Sequence, residues 1–325
     1  MTPTLASARE QYLCKVVENV PLCREHYRLV LGLPEFPPTE PGQFIQISCR
    51  DPEALYNSER ELDWRPGQPL EGLGEELLHP LAYLRRPFSL AGRSDDAEEV
   101  RLEIIHRVVG VGTHWMAELR VGEHVDVLGP LGNRFRLPDV GEIPLLVGGG
   151  VGIPPMLYLA HKLDGRGGIA FCGALSRDLL PLTITAPAGD AVEPSENIEE
   201  FARHGVRSVI STDDGSYGFR GFVTQALERY LNQLSTQDSA LRTVIYTCGP
   251  EPMMKRVAQI AADRKIECQV AVERAMACGM GTCQSCCIRL RRDPKRDGQA
   301  FEGKDWIYKL ACTDGPIFLG KDLLW

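Results

Sequence analysis

The sequence has no long hydrophobic run. No window approaches the roughly 18 consecutive apolar residues that a membrane-spanning helix needs. Its first residues, MTPTLASAREQYLC, lack the apolar core of a secretion signal, so a cytoplasmic chain is expected. Positive charge is not in excess either. The formal net charge is −8 and no basic stripe dominates, which argues against nucleic acid or an anionic membrane as the partner. The longest basic stretch, RLRRDPKRD at 289–297, reads as a solvated turn, with a docking patch as the sharper alternative. Internal repeats and low-complexity tracts are missing as well. What the chain does have is cysteine: 11 in 325 residues. A reducing compartment disfavours disulfides. Cys14, Cys23, Cys49, Cys172, Cys248, Cys268 and Cys287 are scattered or ambiguous, and for most of them a small buried hydrophobe is the simpler reading. The other four need another explanation.

The length suits two or three domains, and the apolar content is ordinary for a globular protein. Residues 1–140 read as β-rich. Short alternating runs such as HYRLVLGL, GQFIQISC and VRLEIIHRVV are separated by Gly, Pro and Asp turns, as in an antiparallel barrel or sandwich. A polar, Pro- and Glu-rich insertion at 50–80 interrupts them and reads as a long loop. From 141 to 264 strand patterns alternate with helical ones, which indicates an α/β unit with a parallel sheet and crossover helices. Residues 265–325 form a small third region that carries the cysteines.

Two strand ends in the α/β region suit a ligand. LLVGGGVGIPP places Gly148, Gly149, Gly150 and Gly152 where a strand turns into a helix. Glycines there let backbone N–H groups approach a pyrophosphate near a helix N-terminus. The stretch is not the G-x-G-x-x-G fingerprint, and glycine turns also occur in sheets that bind nothing. TCGPEPMM places Cys248, Gly249 and Pro250 at a second such turn. In the β-rich region, RRPFSL offers Arg86, Pro87, Phe88 and Ser89. An arginine can pair bidentately with phosphate. A serine hydroxyl can donate and accept, which suits a flavin ring atom that changes protonation on reduction. Further on, HRVVGVGTHW offers His106, Arg107, Gly112 and Thr113.

The spacing Cys278-x4-Cys283-x2-Cys286, with Cys312 after a longer gap, is that of plant-type 2Fe-2S ligation. Thiolates are soft ligands that suit iron–sulfur clusters or zinc. Zinc ribbons usually show paired C-x2-C knuckles, and only one pair here has that spacing. Gly279 and Gly281 would let the loop wrap closely. Cys287, adjacent to Cys286, reads as a non-ligand.

A barrel followed by a nucleotide sheet, with these motifs in this order, resembles the ferredoxin–NADP reductase superfamily. More closely, ERAMACGMGTCQSC and YKLACTDGPIF, together with GEHVDVLGPLGNRF, LLVGGGVGIPP, DDGSYGFRGFVT and CGPEPMM, resemble the electron-transfer subunit of class 1B dihydroorotate dehydrogenase over nearly the whole chain. The resemblance implies a multidomain protein. FAD would lie on an antiparallel β-barrel, contacted by Arg86 to Ser89, Ile105, His106, Arg107, Val108, Gly112 and Thr113. NAD would lie on the parallel sheet, and a 2Fe-2S cluster in the C-terminal domain. It also implies a partner subunit that carries FMN and the orotate site, in a heterotetramer of two plus two. Ser176 and Arg177, after the second strand of the sheet, match a pair that can hold the 2′-phosphate in NADP-using relatives, so the nucleotide preference stays open. The insertion and the Cys286–Cys312 gap are longer than the family pattern. Two other readings remain. One is the related flavin reductase subunit of a sulfhydrogenase or of a bifurcating ferredoxin–NADP oxidoreductase. The other is a non-catalytic module with structural zinc.

Overall fold

The computed structural model describes residues 10–52, 82–235, 242–293 and 305–325. The β-rich region forms strands β1 (Glu10–Cys23), β2 (His26–Leu33), β3 (Phe44–Ser48), β4 (Arg86–Ser89), β5 (Gly92–Asp95), β6 (Val100–Arg107) and, after helix α1 (Val111–Glu118), β7 (His124–Leu131). They pair antiparallel in the order β4-β3-β7-β1-β2-β6-β5. β4 and β5 lie at opposite edges of this order, yet only Leu90 and Ala91 separate them in the chain. Leu90 N–H donates to Gln43 O beside β3, and Ala91 N–H donates to Glu103 O on β6. Such a short link can join the two edges only if the sheet curls on itself, which is the barrel expected from the sequence. Its interior holds Leu29, Leu31, Ile45, Ile47, Leu102 and Ile104, all fully buried. Helix α1 was not expected; Gly110 and Gly112 obscure its pattern.

The second region contains β8 (Glu142–Gly149), helix α2 (Ile153–Leu163), β9 (Ile169–Ala174), helix α3 (Glu199–Ala202), β10 (Arg207–Thr212), β11 (Phe219–Arg220), helix α4 (Val223–Ser235), β12 (Arg242–Cys248), helix α5 (Glu251–Asp263) and β13 (Glu267–Ala271). These strands are parallel. β8 and β9 are continuous apolar runs because helices cover both faces of the sheet. The C-terminal segment then makes a hairpin of β14 (Cys287–Arg291) and β15 (Trp306–Leu310). It returns through β16 (Ile317–Leu319), which pairs antiparallel with β13.

The parallel sheet has the order β11-β10-β9-β8-β12-β13-β16. The chain builds outward from β8 in one direction, then crosses to β12 on its other side. Open α/β sheets bind ligands at the carboxyl ends of strands flanking such a reversal. Here Gly148 faces Cys248 in register, so both sequence-predicted turns meet at that point.

Hydrogen bonds tie the regions together at several points, among them two that bear on the site. Tyr158 on α2 is buried against the barrel and donates from its hydroxyl to Thr39 O at 2.8 Å. Asn133, just past β7, binds the last segment: its Nδ2 donates to Asp314 O and Ile317 O, both at 2.9 Å, and its Oδ1 accepts from Ile317 N–H at 2.8 Å. One core cluster accordingly runs from Phe44 and Leu131 through Val147 and Val257 to Cys286, Ile288 and Cys312.

The insertion at 50–80 lies outside the described residues except for Arg50, Asp51 and Pro52. The basic stretch differs from the expected turn where it is described. Arg289 and Arg291 belong to β14, and the Arg289 guanidinium stands 5.9 Å over the Trp306 ring, so an alternating strand accommodates these charges on its outer face. Residues 294–297 lie outside the description.

Candidate functional site: a shared cavity beside a four-thiol loop

A cavity of about 920 Å³ lies where the three regions meet. The barrel contributes Pro87, Phe88 and Ser89 from β4, Ile105, His106 and Arg107 from β6, and Thr113 from α1. The parallel sheet contributes Gly149, Gly150 and Gly152 after β8, with Cys248, Gly249 and Pro250 after β12. The remaining sequence-predicted residues stand off the wall. Arg86 is exposed and donates from Nη1 to Leu84 O. Val108 N–H donates to Glu25 O. Gly112 backs onto Cys49 and Ala82, and Gly148 onto Ile153.

Gly152 shows why the turn after β8 is built from glycine. A Cβ there would collide with the Cys248 carbonyl, so only glycine lets the two strand ends close on each other. Gly150 is at φ +53°, which also favours glycine. The result is exposed backbone at the turn itself, flanked by the side chains of Val151, Pro252 and Met253. Burial holds the Cys248 thiol protonated by pushing its pKa up to about 12.

The barrel wall is different. His106 is 1% exposed, and neither ring nitrogen has a hydrogen-bond partner. Tyr27 stacks on the ring at 5.8 Å and the Phe88 ring meets it edge-on at 6.2 Å. His26, also in the wall, spends Nδ1 on Arg24 O at 2.8 Å and leaves Nε2 buried without a partner. Burial pushes His106 down to about 4, with the His26 charge adding to the effect, so the ring is neutral at pH 7. Buried polar atoms are normally satisfied. Unpartnered nitrogens facing an apolar cavity therefore fit a planar, hydrogen-bonding ligand such as a flavin ring.

Sequence reasoning missed part of the lining. Glu273, Arg274 and Met276 arrive from the segment after β13, and Pro316 from the turn before β16. Arg274 pairs with Glu251 at 2.6 Å.

The cysteine loop begins two residues past Met276. Cys278 Sγ accepts N–H donation from Met280 and from Cys283, both at 3.4 Å. Gly279 at φ +69° and Gly281 at φ +86° make the tight turn that aims these donors. Among the described residues no three His, Cys, Asp or Glu side chains gather as the ligands of one ion. The four cysteines instead lie as two neighbouring pairs: Cys283 N–H donates to Cys278 Sγ at 3.4 Å, and Cys286 O accepts from the N–H of Ala311, next to Cys312, at 3.0 Å. A two-iron cluster takes two thiolates on each iron, so the pairs fit it. Donation from Ser285, and then from the Cys278 side, pulls the exposed Cys283 thiol down to about 6. Burial holds Cys312 up at about 12. Cys287 opens β14 opposite Leu310 and joins neither pair. Behind the loop, Gln46 is fully buried; its Nε2 donates to Met276 O at 3.4 Å, its Oε1 has no partner, and a Cβ on Gly279 would lie 2.5 Å from that oxygen.

Residues 273–324 match the family model described as the iron-sulfur cluster binding domain of dihydroorotate dehydrogenase B. The chain is 33% identical over 313 residues to the Shouchella clausii protein named dihydroorotate dehydrogenase B (NAD(+)), electron transfer subunit, covering 95% of this chain and 96% of that one. It is 36% identical over 244 residues to the protein of the same name from a Geobacillus species, covering 74% and 80%. The chain belongs to the family of dihydroorotate dehydrogenase B electron transfer subunits. Among solved structures it is similar to an NADH-dependent reduced ferredoxin–NADP oxidoreductase studied for flavin-based electron bifurcation. That likeness has a TM-score of 0.67 at 25% identity and covers 100% of this chain and 92% of the other. An Amycolatopsis cytochrome P450 reductase shares the fold over 81% of the chain, with a TM-score of 0.55. The cavity of this dihydroorotate dehydrogenase B family member thus sits on a reductase fold, with the cluster-binding segment forming part of its wall.

Proposed function

We propose that this chain is the electron-transfer subunit of an NAD-dependent dihydroorotate dehydrogenase B in pyrimidine biosynthesis. It would work in the cytoplasm with an FMN-containing catalytic subunit, as two plus two chains. The observation that carries this is the shared wall: Met276, two residues from the first predicted cluster ligand, lines the same cavity as the barrel and sheet residues. Membership of a family of electron transfer subunits supports a catalytic partner subunit.

Phe88, Ser89, Ile105, His106, Arg107 and Thr113 would hold FAD, with Arg86, Pro87, Val108 and Gly112 supporting the same wall. Gly148, Gly149, Gly150, Gly152, Cys248, Gly249 and Pro250 would hold the nicotinamide dinucleotide. Cys278, Cys283, Cys286 and Cys312 would hold the 2Fe-2S cluster. When bound, the flavin supplies exchange between hydride and single-electron chemistry, and the cluster supplies single-electron transfer. The chain's own work is positional. Phe88 and Tyr27 fix the plane of His106, and a neutral His106 presents hydrogen-bonding nitrogens without adding charge. The glycine turn lets a dinucleotide approach the backbone at Gly149, Gly150 and Gly249 closely. Asn133 and Gln46 tie the cysteine segment to the barrel, which keeps the thiols at a set distance from the cavity. The domain division 1–140, 141–264 and 265–325 follows these roles.

A second reading, a reductase subunit of the bifurcating type, is consistent with the likeness to the bifurcating oxidoreductase over the whole chain, which does not favour it over the first. Coexpression with an FMN-type dihydroorotate dehydrogenase subunit separates the two. NAD⁺ reduction by dihydroorotate that needs both chains in a copurifying complex supports the first. A brown NADH-oxidising protein that neither binds that subunit nor couples to dihydroorotate supports the second. Cys283→Ser should bleach the cluster absorbance and abolish orotate coupling, while NADH oxidation by a dye persists. Orotate coupling retained in that variant would refute the assigned ligand set.

A further inference from the structure

The turn after β9, Ser176-Arg177-Asp178, stands on the rim of the cavity. Its neighbours on both sides, Leu175 and Leu179, line the wall, as does Asp213 at the end of β10. On a doubly wound sheet the adenosine ribose lies over the end of the second strand. A carboxylate there takes the 2′-hydroxyl, and an arginine accommodates a 2′-phosphate. Read alone, Ser176 and Arg177 suit the phosphate.

Side-chain geometry gives a different answer. The Ser176 hydroxyl donates to the Asp178 carboxylate rather than standing free. Arg177 lies over the Tyr217 ring at 5.5 Å, and its backbone N–H donates to Ser216 Oγ at 2.8 Å. Asp178 is held in place by Arg24, whose Nε lies 2.8 Å from Oδ2 and whose backbone N–H donates to Asp178 O at 3.0 Å. Ser176 and then Arg24 keep the carboxyl below the usual carboxylate range, so it is ionised at neutral pH. Two hydrogen-bonded neighbours thus position a fixed negative charge on the rim, with Asp213 and Asp214 beyond it.

We propose that Asp178 is the residue that makes this cavity select NAD(H) against NADP(H). The inference rests on the reading of the cavity as a nicotinamide dinucleotide site. A ribose 2′-hydroxyl can donate to the carboxylate. A 2′-phosphate brings two negative charges beside it and finds the Ser176 hydroxyl already engaged. Without the carboxylate charge, Ser176, Arg177 and Arg24 would together suit a phosphate.

The test is titration of the purified full-length chain with NAD⁺ and NADP⁺ by calorimetry, for the unaltered protein and for Asp178→Asn and Asp178→Glu. The unaltered chain is expected to bind NAD⁺ more tightly. In Asp178→Asn the ratio of the two dissociation constants should move toward NADP⁺ by about tenfold, the scale of one like-charge contact at a solvated rim. Asp178→Glu, which keeps the charge, should keep most of the original ratio. An unchanged ratio in Asp178→Asn, or an unaltered chain that prefers NADP⁺, overturns the assignment and leaves the dinucleotide site standing. A chain that binds neither dinucleotide overturns both.

Discussion

The two walls of the cavity are made in opposite ways. The sheet wall, at the ends of β8 and β12, turns on backbone: glycines pressed so close that no Cβ fits at Gly152, with Val151 and Met253 beside them. The barrel wall, on β4 and β6, is side chain: Phe88, Ser89 and a buried His106 with both ring nitrogens unpartnered. A backbone wall holds whatever fits its shape, and it fails sterically when altered. A side-chain wall holds its ligand by placed polar atoms, and it can be retuned one atom at a time. The difference suits two ligands of different residence: a dinucleotide that exchanges and a flavin that stays.

The largest effect should come from adding one methyl group to the backbone wall. Gly152→Ala drives a Cβ into the Cys248 carbonyl, which belongs to a central strand and cannot swing aside. We expect a loss of about 3 kcal/mol in denaturant unfolding, the upper range of overpacking costs. NADH titration should show no binding, while FAD content stays near normal. Normal NADH affinity in this variant would break the contrast between the walls.

The side-chain wall should respond to pH. The folded pKa of His106 lies below its unfolded value, at about 4 against 6.5. Such a group contributes nothing adverse above the unfolded pKa. It destabilises as pH falls from about 6.5, and the loss levels off below about 4. The cost of keeping this ring neutral is on the order of 2–3 kcal/mol at pH 4. His26, which faces it, and carboxylates elsewhere add their own acid terms, so the measurement is a difference. His106→Phe should flatten the stability curve between pH 6.5 and 4 relative to the unaltered chain, and it should weaken FAD retention. Parallel curves for the two proteins would show that His106 is not buried as a neutral base.

Much of this arrangement was legible in the sequence. The x4 and x2 spacings marked the thiol loop. Alternating strand and helix patterns marked the parallel sheet, and α2 (Ile153–Leu163) is one of the helices that alternation implies. The rest depended on long-range contacts that leave no local signature. Pro316 reaches the cavity only because β16 pairs with β13, some 46 residues earlier. Gln46 is an ordinary polar residue in a strand pattern until the Gly279 turn is laid against it. Runs such as RRPFSL locate a wall without saying which side chains face it, and Arg86 turns out to be on the outside. The surroundings of Ser176 and Arg177 were hidden for the same reason: Arg24, which pairs with the adjacent Asp178, sits on the barrel.

The smallest expected effect tests how the two walls are held to each other. Tyr158, on the helix that begins at the glycine turn, donates its hydroxyl to Thr39 O, and the Thr39 hydroxyl lies 2.8 Å from the Tyr158 hydroxyl oxygen. All of these groups are buried. Tyr158→Phe keeps the ring and its packing but strands the Thr39 carbonyl, at a cost of about 1 kcal/mol. Neither wall loses a lining group, so FAD content and NADH affinity should each stay within about twofold, a change smaller than one lost hydrogen bond to ligand. What should move is the rate of flavin reduction by NADH in single-turnover mixing, because that rate depends on how the walls are registered. A lowered unfolding midpoint with an unchanged reduction rate would mean that the apolar contacts around α2 hold the walls in register, and that Tyr158 contributes stability alone.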